Sequence, residues 1–517
     1  MKPLCFVLDS AAQDRTPKAI LRGDWQCRRA GDPRLFQRRY LDSLDWRLLR
    51  NNLYLIADQA ASGWHVRLFS LRDHGQLAEA HLVQPPVFLP AAGLDSMNTV
   101  LLAILGRRAL VSQTQLAVTQ HPLTVVDDRG EVVAHLDLEF NEPRETVGTP
   151  GANFNRRLWF VPVAGHDKQH KTLVNTLSRH GLPVSGAVIP VTEVIAALHV
   201  DTTRFDARPR LLFQPDQPWD QAVQRLLAFF LDIMEANRPV VANDVDTECL
   251  HDFRVAVRRS RSLLGQLRTQ IAPRQAESAG RVFGKLSRAT NRQRDLDVML
   301  LNFDFYRSLL PGQHRARLDP VYAAVVDQRQ AALAATVRLL NSREYHQFVR
   351  AWRGYLGGAG PRRISGQGAG PVKDAAAASI WKLYKRILAE GSAISAASPP
   401  EVLHALRKRC KTLRYLMEFF VSLYPEEKLQ KALKVMKRLQ DNLGEYQDLY
   451  VHGTLLAETR RHLLEHDLLL PETDVALSAV TGALDRRAAA CRQRFTKRFR
   501  VFANDAHQQL FRRLFKP

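Results

Sequence analysis

His251, Arg254, Arg258 and Arg261 follow one another at steps of three, four and three residues, and His404, Arg407, Lys411 and Arg414 repeat that spacing 153 residues later. An α-helix advances about 100° per residue, so each set falls within an arc of about 80° on one helix face. A stripe of this kind suits the binding of an anion. Guanidinium groups pair with phosphate or carboxylate oxygens, Lys adds a point charge, and His donates a hydrogen bond or titrates. Like charges crowded on one face cost free energy unless an anion offsets them. Acidic i,i+4 partners, which normally lace a solvated stripe, are missing from these faces. A single stripe would read as a solvated surface; one that recurs while its neighbours change reads as an anion-binding surface.

The next helical stretch repeats the pattern. Arg281, Lys285, Arg288 and Arg292 share one face; Lys434 and Arg438 copy its start, whereas Asp441 and Glu445 stand where Arg288 and Arg292 would be. Lys408 joins the second stripe. Phe253, Val257, Leu263, Leu264 and Leu267 occupy the opposite side of the first helix, as a core-facing stripe should. Asp295 and its copy Asp448 lie inside a basic patch, where an acid orients an Arg or caps a helix rather than catalysing.

These helices belong to a duplication. Leu250–Leu264 lines up with Leu403–Met417, and at the same offset Glu248 meets Glu401, Val282 meets Val435 and Leu286 meets Leu439. Asp295-Leu296-x-Val298 meets Asp448-Leu449-x-Val451 without a gap. Register held over that distance predicts two copies of a helical unit, each with two helices and a turn between them.

The chain of 517 residues is too long for one core, and its +22 net charge is unevenly placed. Residues 1–214 hold 25 basic and 21 acidic residues, a net +4; the remainder hold 49 and 31, a net +18. Such a segment needs an acidic partner. No apolar run reaches the roughly 18–20 residues of a membrane span, and the apolar N-terminal stretch is short for a signal peptide. The five cysteines are scattered, without Cys-x-x-Cys spacing, which fits a reducing compartment and gives no zinc signature. The expectation is a cytoplasmic protein with no membrane partner, no metal and no cofactor.

The first 200 residues read as mixed α/β. Trp64–Phe69 and Val132–Phe140 look like strands, Asp127–Gly130 like a turn, and Leu173 with Leu177 like part of a helix ending near Gly181–Pro183. Prolines 209, 215 and 218 mark a linker at 201–218. Helical texture follows, with a repeat at 219–353, a Gly/Pro-rich loop at 354–371 and a second repeat at 372–517.

The paired stripes, together with Leu439-Gln-Asp-Asn-Leu-Gly-Glu-Tyr-Gln-Asp448, strongly resemble the CHAD domain, the conserved-histidine α-helical domain, over roughly residues 219–517. That resemblance implies two four-helix units related by pseudo-twofold symmetry, with a central basic groove that binds inorganic polyphosphate. It also implies an association with polyphosphate granules. The first repeat carries Thr290-Asn291 in place of Leu443-Gly444, which bears on its turn geometry. Residues 1–200 resemble, more weakly, the CYTH or triphosphate-tunnel fold, through Arg39–Arg50 and Leu136–Phe140. Nothing before Tyr40 matches the Glu-x-Glu-x-Lys strand by which catalytic members hold a divalent metal, and Asp137 with Glu139 is half a site. The expected architecture is thus α+β: a degenerate CYTH-like, β-rich domain followed by an all-α CHAD domain.

Two further motifs carry no weight. His462-Leu-Leu-Glu465-His466 matches a zinc-peptidase pattern but sits in a Leu-rich helical stretch whose counterpart, Leu309 to Gln313, has none of it. Gly280-x-x-x-Gly284-Lys285 is one residue short of a phosphate-binding loop and lies mid-helix. The expected function is non-enzymatic polyphosphate binding, with self-association left open. The rival readings are a metal-dependent triphosphatase and a nucleic-acid binder, the latter lacking the interleaved aromatics of a single-strand platform.

Overall fold

A computed structural model describes the chain except residues 1–3, 9–18, 20, 22–24, 62, 144–153, 155, 180, 185–187, 208–210, 267–272, 358–369 and 396. Leu267, part of the 201–218 linker and most of the 354–371 loop therefore lie outside the described residues. The chain divides into two compact units, Met1–Phe205 and Asp206–Pro517.

The first unit is built on one antiparallel sheet. Its strands are β1 (Leu4–Leu8), β2 (Gln26–Arg29), β3 (Arg34–Asp42), β4 (Leu53–Ala60), β5 (Gly63–Ser70), β6 (Gln76–Leu82), β7 (Val111–Val126), β8 (Val132–Pro143), β9 (Arg157–Pro162) and β10 (Gly181–Val184). They run in the order β10-β1-β9-β8-β7-β3-β4-β5-β6, with β2 paired beside β7. Helices α1 (Arg47–Arg50), α2 (Asp95–Leu105), α3 (Asp167–Leu177) and α4 (Val191–Ala197) cover it. The two strands expected at 64–69 and 132–140 are β5 and β8. The turn before β8 closes where Gly130, at φ 83°, adopts a left-handed conformation that suits glycine. After α3, Gly181–Val184 is a strand rather than a helix end, pairing with β1.

Alternation along β8 gives this sheet two kinds of face. Ala134, Leu136 and Leu138 join a core with Phe6, Phe160, Leu173 and Leu177. On the other face of the sheet, Tyr40, Tyr54, Ile56, Phe69 and Val118 pack with Val191 and Val194 of α4.

The second unit is helical and its duplication is visible in the element boundaries. The first copy holds α5 (Trp219–Ala242), α6 (Thr247–Gln266), α7 (Pro273–Ala289), α8 (Asn291–Leu301), the short α9 (Phe303–Ser308), α10 (Asp319–Leu340) and α11 (Arg343–Leu356). The second holds α12 (Val372–Ser392), α13 (Pro400–Phe419), α14 (Glu426–Glu465), α15 (Pro471–Phe502) and α16 (Asp505–Phe515). The starts at 219 and 372, 247 and 400, and 273 and 426 are each 153 residues apart. Helix α11 runs two residues past 354, into the stretch read as loop.

The copies differ after their second helix begins. No turn forms at Leu443-Gly444 in the second copy, whereas in the first Thr290 interrupts the helix between α7 and α8 and Asn302 interrupts it again between α8 and α9. Thr and Asn side chains compete for backbone hydrogen bonds, and Thr290 Oγ1 bonds back to the Leu286 carbonyl at 2.8 Å. Leu443 and Gly444 offer no such competition, and α14 runs unbroken for 40 residues.

The copies share a core. Leu296, Met299, Phe303 and Val321 of the first pack with Leu455, Leu463, Leu477 and Val480 of the second. Among the described residues no helix is long and apolar enough to cross a membrane.

Candidate anion-binding face

The two stripes lie on α6 and α13, whose buried sides fix their direction. Phe253, Val257, Leu263 and Leu264 are buried on α6, and Leu403, Leu406, Cys410 and Leu413 on α13. His251, Arg254, Arg258, His404, Arg407, Lys411 and Arg414 are half-buried, whereas Arg261 and Lys408 are exposed.

The two helices meet side by side near a local twofold relation. Ser262 Oγ lies 3.5 Å from Thr412 Oγ1. Adding 153 to the first number and subtracting it from the second maps that pair onto Tyr415 and Arg259. The Arg259 guanidinium does lie over the Tyr415 ring, 5.3 Å from its centre. Residue i meeting j while j's counterpart meets i's is the signature of an isologous contact. Across it Arg258 Nε donates to the Tyr415 hydroxyl at 2.8 Å.

The electrostatics show which charges converge. Burial pushes the Lys411 amine down to about 7, and Arg258 and Arg407 add to the effect against the opposing pull of Asp448. Arg258 comes from the first copy and Arg407 from the second, so Lys411 feels both stripes at once. Burial also lowers Arg407, with Asp448 opposing, and brings Arg254 down to about 10, with Asp295 opposing. Burial lowers His404, and neighbouring Lys408, Arg407 and Lys411 do the same. Its Nδ1 donates to Gln447 Oε1 at 2.5 Å, which leaves the other ring nitrogen to take up a second proton. Cations held below their ordinary pKa by their surroundings and by one another are the electrostatic mark of a site prepared for negative charge.

The duplicated acids are placed differently. Asp448 is reached by Arg407 at 3.4 Å, whereas burial raises the Asp295 carboxyl against the electrostatic pull of Arg254, Arg292 and Arg294. The corresponding arginines are otherwise used differently. Arg254 donates to the Ser287 carbonyl at 2.9 Å, to Thr290 Oγ1 at 2.7 Å and to Asn291 Oδ1 at 2.6 Å. It therefore clamps the α7–α8 break, a duty Arg407 has no need to perform.

Two expectations need correction. An acidic i,i+4 partner does occur on the second stripe: Arg414 pairs with Glu418 at 3.4 Å, and Glu418 also takes Arg259 at 3.1 Å. The pattern overlooked it because Gly265 stands at the corresponding place in the first copy. Arg292 does not stand open with its neighbours, since it donates to Glu458 and Gln328, each at 2.5 Å. Arg281, Lys285 and Arg288 on α7, and Lys434 and Arg438 on α14, are exposed. Tyr415 and Gln447 were missed as site members; their contacts depend on helix pairing, and Tyr415 has Ser262 as its counterpart.

In the first unit the acidic pair on β8 is differently engaged. Glu139, fully buried, accepts from Arg38 at 2.8 Å, and Arg38 also donates to Asp58 at 2.9 Å. Arg67 completes this buried network through Asp58 at 2.5 Å. Asp137 lies 3.6 Å from Arg34. Among the described residues no group of three His, Cys, Asp or Glu side chains is placed to hold a metal ion.

Residues 225–457 match the family model described as the CHAD domain. Among solved structures, the CHAD domain from the plant Ricinus communis is 23% identical, with a TM-score of 0.46, over 59% of this chain and 95% of that one. PptA from Streptomyces chartreusis is 15% identical, with a TM-score of 0.41, over 55% of this chain and 100% of that one. No curated protein matches the chain.

Proposed function

Because residues 225–457 are a CHAD domain, a family associated with polyphosphate binding, we propose that this chain binds inorganic polyphosphate along the basic face shared by α6 and α13. The observation that carries the reading is the meeting of the two stripes at one joint, where Arg258 of the first copy bonds to Tyr415 of the second and Lys411, lowered first by burial, is lowered further by Arg258 and Arg407. A polyanion laid between the helices would relieve that repulsion. His251, Arg254, Arg258 and Arg261 would meet it from one side, and His404, Arg407, Lys408, Lys411 and Arg414 from the other. Arg281, Lys285, Arg288, Lys434 and Arg438 extend the same charge onto α7 and α14. Bidentate guanidinium contacts and the lysine charges suit a chain of phosphates.

The role is binding rather than catalysis. What supports this is the lack of a Glu-x-Glu-x-Lys strand before Tyr40 and the engagement of buried Glu139 by Arg38 at 2.8 Å. The proposed setting is cytoplasmic, on polyphosphate granules. The deciding experiment compares binding of long-chain polyphosphate with DNA and RNA of equal charge. Preference for polyphosphate supports the reading, and equal or weaker binding than to nucleic acid refutes it.

A further inference from the structure

Half of the second unit's charge excess lies outside the paired stripes. Residues 486–517 hold 10 basic residues against one acid, Asp505, a net +9 beyond the end of the matched family region. Most of it sits on α15. Leu484, Cys491, Phe495, Phe499 and Phe502 form the buried side of that helix. Arg486, Arg487, Arg494, Lys497, Arg498 and Arg500 are exposed on the other. From residue 486 to residue 504 the helix itself carries no acid, so like charges stand one turn apart along it; Arg494 is met from α14 by Glu445 at 2.8 Å, and Lys497, Arg498 and Arg500 lie beyond that pair. The first copy has nothing comparable on α10.

Helix α14 joins this stripe to the groove. Gln440 reaches α13 through the Cys410 carbonyl, and Asn442 reaches α15 through the Cys491 carbonyl. Two residues apart is about 200° on the wheel, so α13 and α15 flank opposite sides of α14. The arc between them carries exposed Lys434, Lys437 and Arg438 towards one end and Asp441, Glu445 and Asp448 towards the other. Both packings are antiparallel. Carried back along α14, those two bonds set Arg438 beside residue 412 on α13 and residue 495 on α15, and Lys434 beside 416 and 499. The basic end of α14 thus bridges Lys411 and Arg414 to Lys497, Arg498 and Arg500.

We propose that a polyphosphate chain leaving the α6–α13 groove crosses α14 at Lys434 and Arg438 and continues on α15 over Lys497, Arg498 and Arg500, a second contact segment for the same polyanion. This rests on the polyphosphate reading of the groove. Continuity with that groove, and a stripe built of Lys and Arg with its rings turned inward, favour a bare phosphate chain over a nucleic acid with bases to stack.

The test titrates the full chain and two triple variants with short and long polyphosphate at several salt concentrations. One variant carries Lys497→Gln, Arg498→Gln and Arg500→Gln. The other removes the same charge from exposed positions of the first copy, through Arg315→Gln, Arg343→Gln and Arg350→Gln. The α15 variant should bind the short chain within about twofold of wild type but lose roughly tenfold on the long chain. Its salt slope should fall by about one for each lost contact. The control should match wild type, and the single Lys497→Gln and Arg500→Gln variants should give graded losses if the triple variant unfolds early. Wild-type affinity of the α15 variant for the long chain overturns the proposal, as does an equal loss in the control. Loss of duplex DNA or single-stranded RNA binding alone assigns the stripe to nucleic acid and overturns it too. The groove reading fails by a separate result, wild-type binding of both chain lengths by Arg258→Ala/Lys411→Ala.

Discussion

Arg258 of the first copy donates through Nε to the hydroxyl of Tyr415 of the second, at 2.8 Å. The bond ties two equivalent helices together where their positive stripes meet, and Arg258 adds to burial in lowering the Lys411 amine of the other copy. Replacing Arg258 and Lys411 by Ala should each weaken polyphosphate binding by roughly tenfold, and the double variant should lose less than the product, because the two act on one segment of ligand. Isothermal titration of the three variants reads this directly. Strict additivity would place the residues on independent sites.

Binding should be linked to protons. In the free chain Lys411 sits at about 7, and an adjacent polyanion raises that value by favouring the ammonium. Affinity is then complete below pH 7 and falls as pH rises above it, with net proton uptake on binding. Stability of the free chain runs the other way. The folded state holds fewer protons than the unfolded state between about 7 and the ordinary lysine value, so stability increases with pH across that window. Titrations in buffers of different ionisation enthalpy measure the uptake, and Lys411→Met should abolish most of it.

Lys411→Met should also stabilise the free chain, by about 1–2 kcal/mol at pH 7 after allowing for solvent screening of a half-buried amine, while weakening binding. Gain in unfolding temperature with loss of affinity marks a residue kept for its ligand. A variant that loses both would mark Lys411 as structural.

Arg254→Met should cost about 1–3 kcal/mol of stability. It strips the Ser287 carbonyl and the Thr290 hydroxyl of their donor at the helix break. Thr290→Leu with Asn291→Gly, which installs the residues of the second copy, should recover part of that loss by letting α7 and α8 run on as α14 does. Chemical denaturation of the single and combined variants tests both halves.

In the first unit, Arg38→Met should destabilise by roughly 3–5 kcal/mol by leaving Glu139 charged and buried. Polyphosphate affinity should stay within about twofold at a temperature where both units remain folded, since the residues proposed to bind it all belong to the second unit. Tripolyphosphate with Mg²⁺ or Mn²⁺ should release no phosphate with the wild-type chain. Metal-dependent release abolished by Asp137→Ala and Glu139→Ala would assign catalysis to this unit.

The sequence by itself determined the duplication and the contents of each stripe. Helical periodicity is local and an offset is arithmetic, so His251 and His404 could be set in register before any helix was placed, and the helix starts at 247 and 400 keep that register. It also announced the strands at 64–69 and 132–140, where alternation is strong. Tertiary structure alone decided what the charges do. Arg292 and Arg258 look alike on a wheel, yet one is held by Glu458, 166 residues away, while the other crosses to Tyr415, 157 residues away. Arg254 and Arg407 hold the same position in their copies, but one is held by the Ser287 carbonyl and Thr290 hydroxyl at the α7–α8 junction while the other reaches Asp448. Pairing between side chains this distant follows from how helices pack, and periodicity along one strand of sequence carries no record of it.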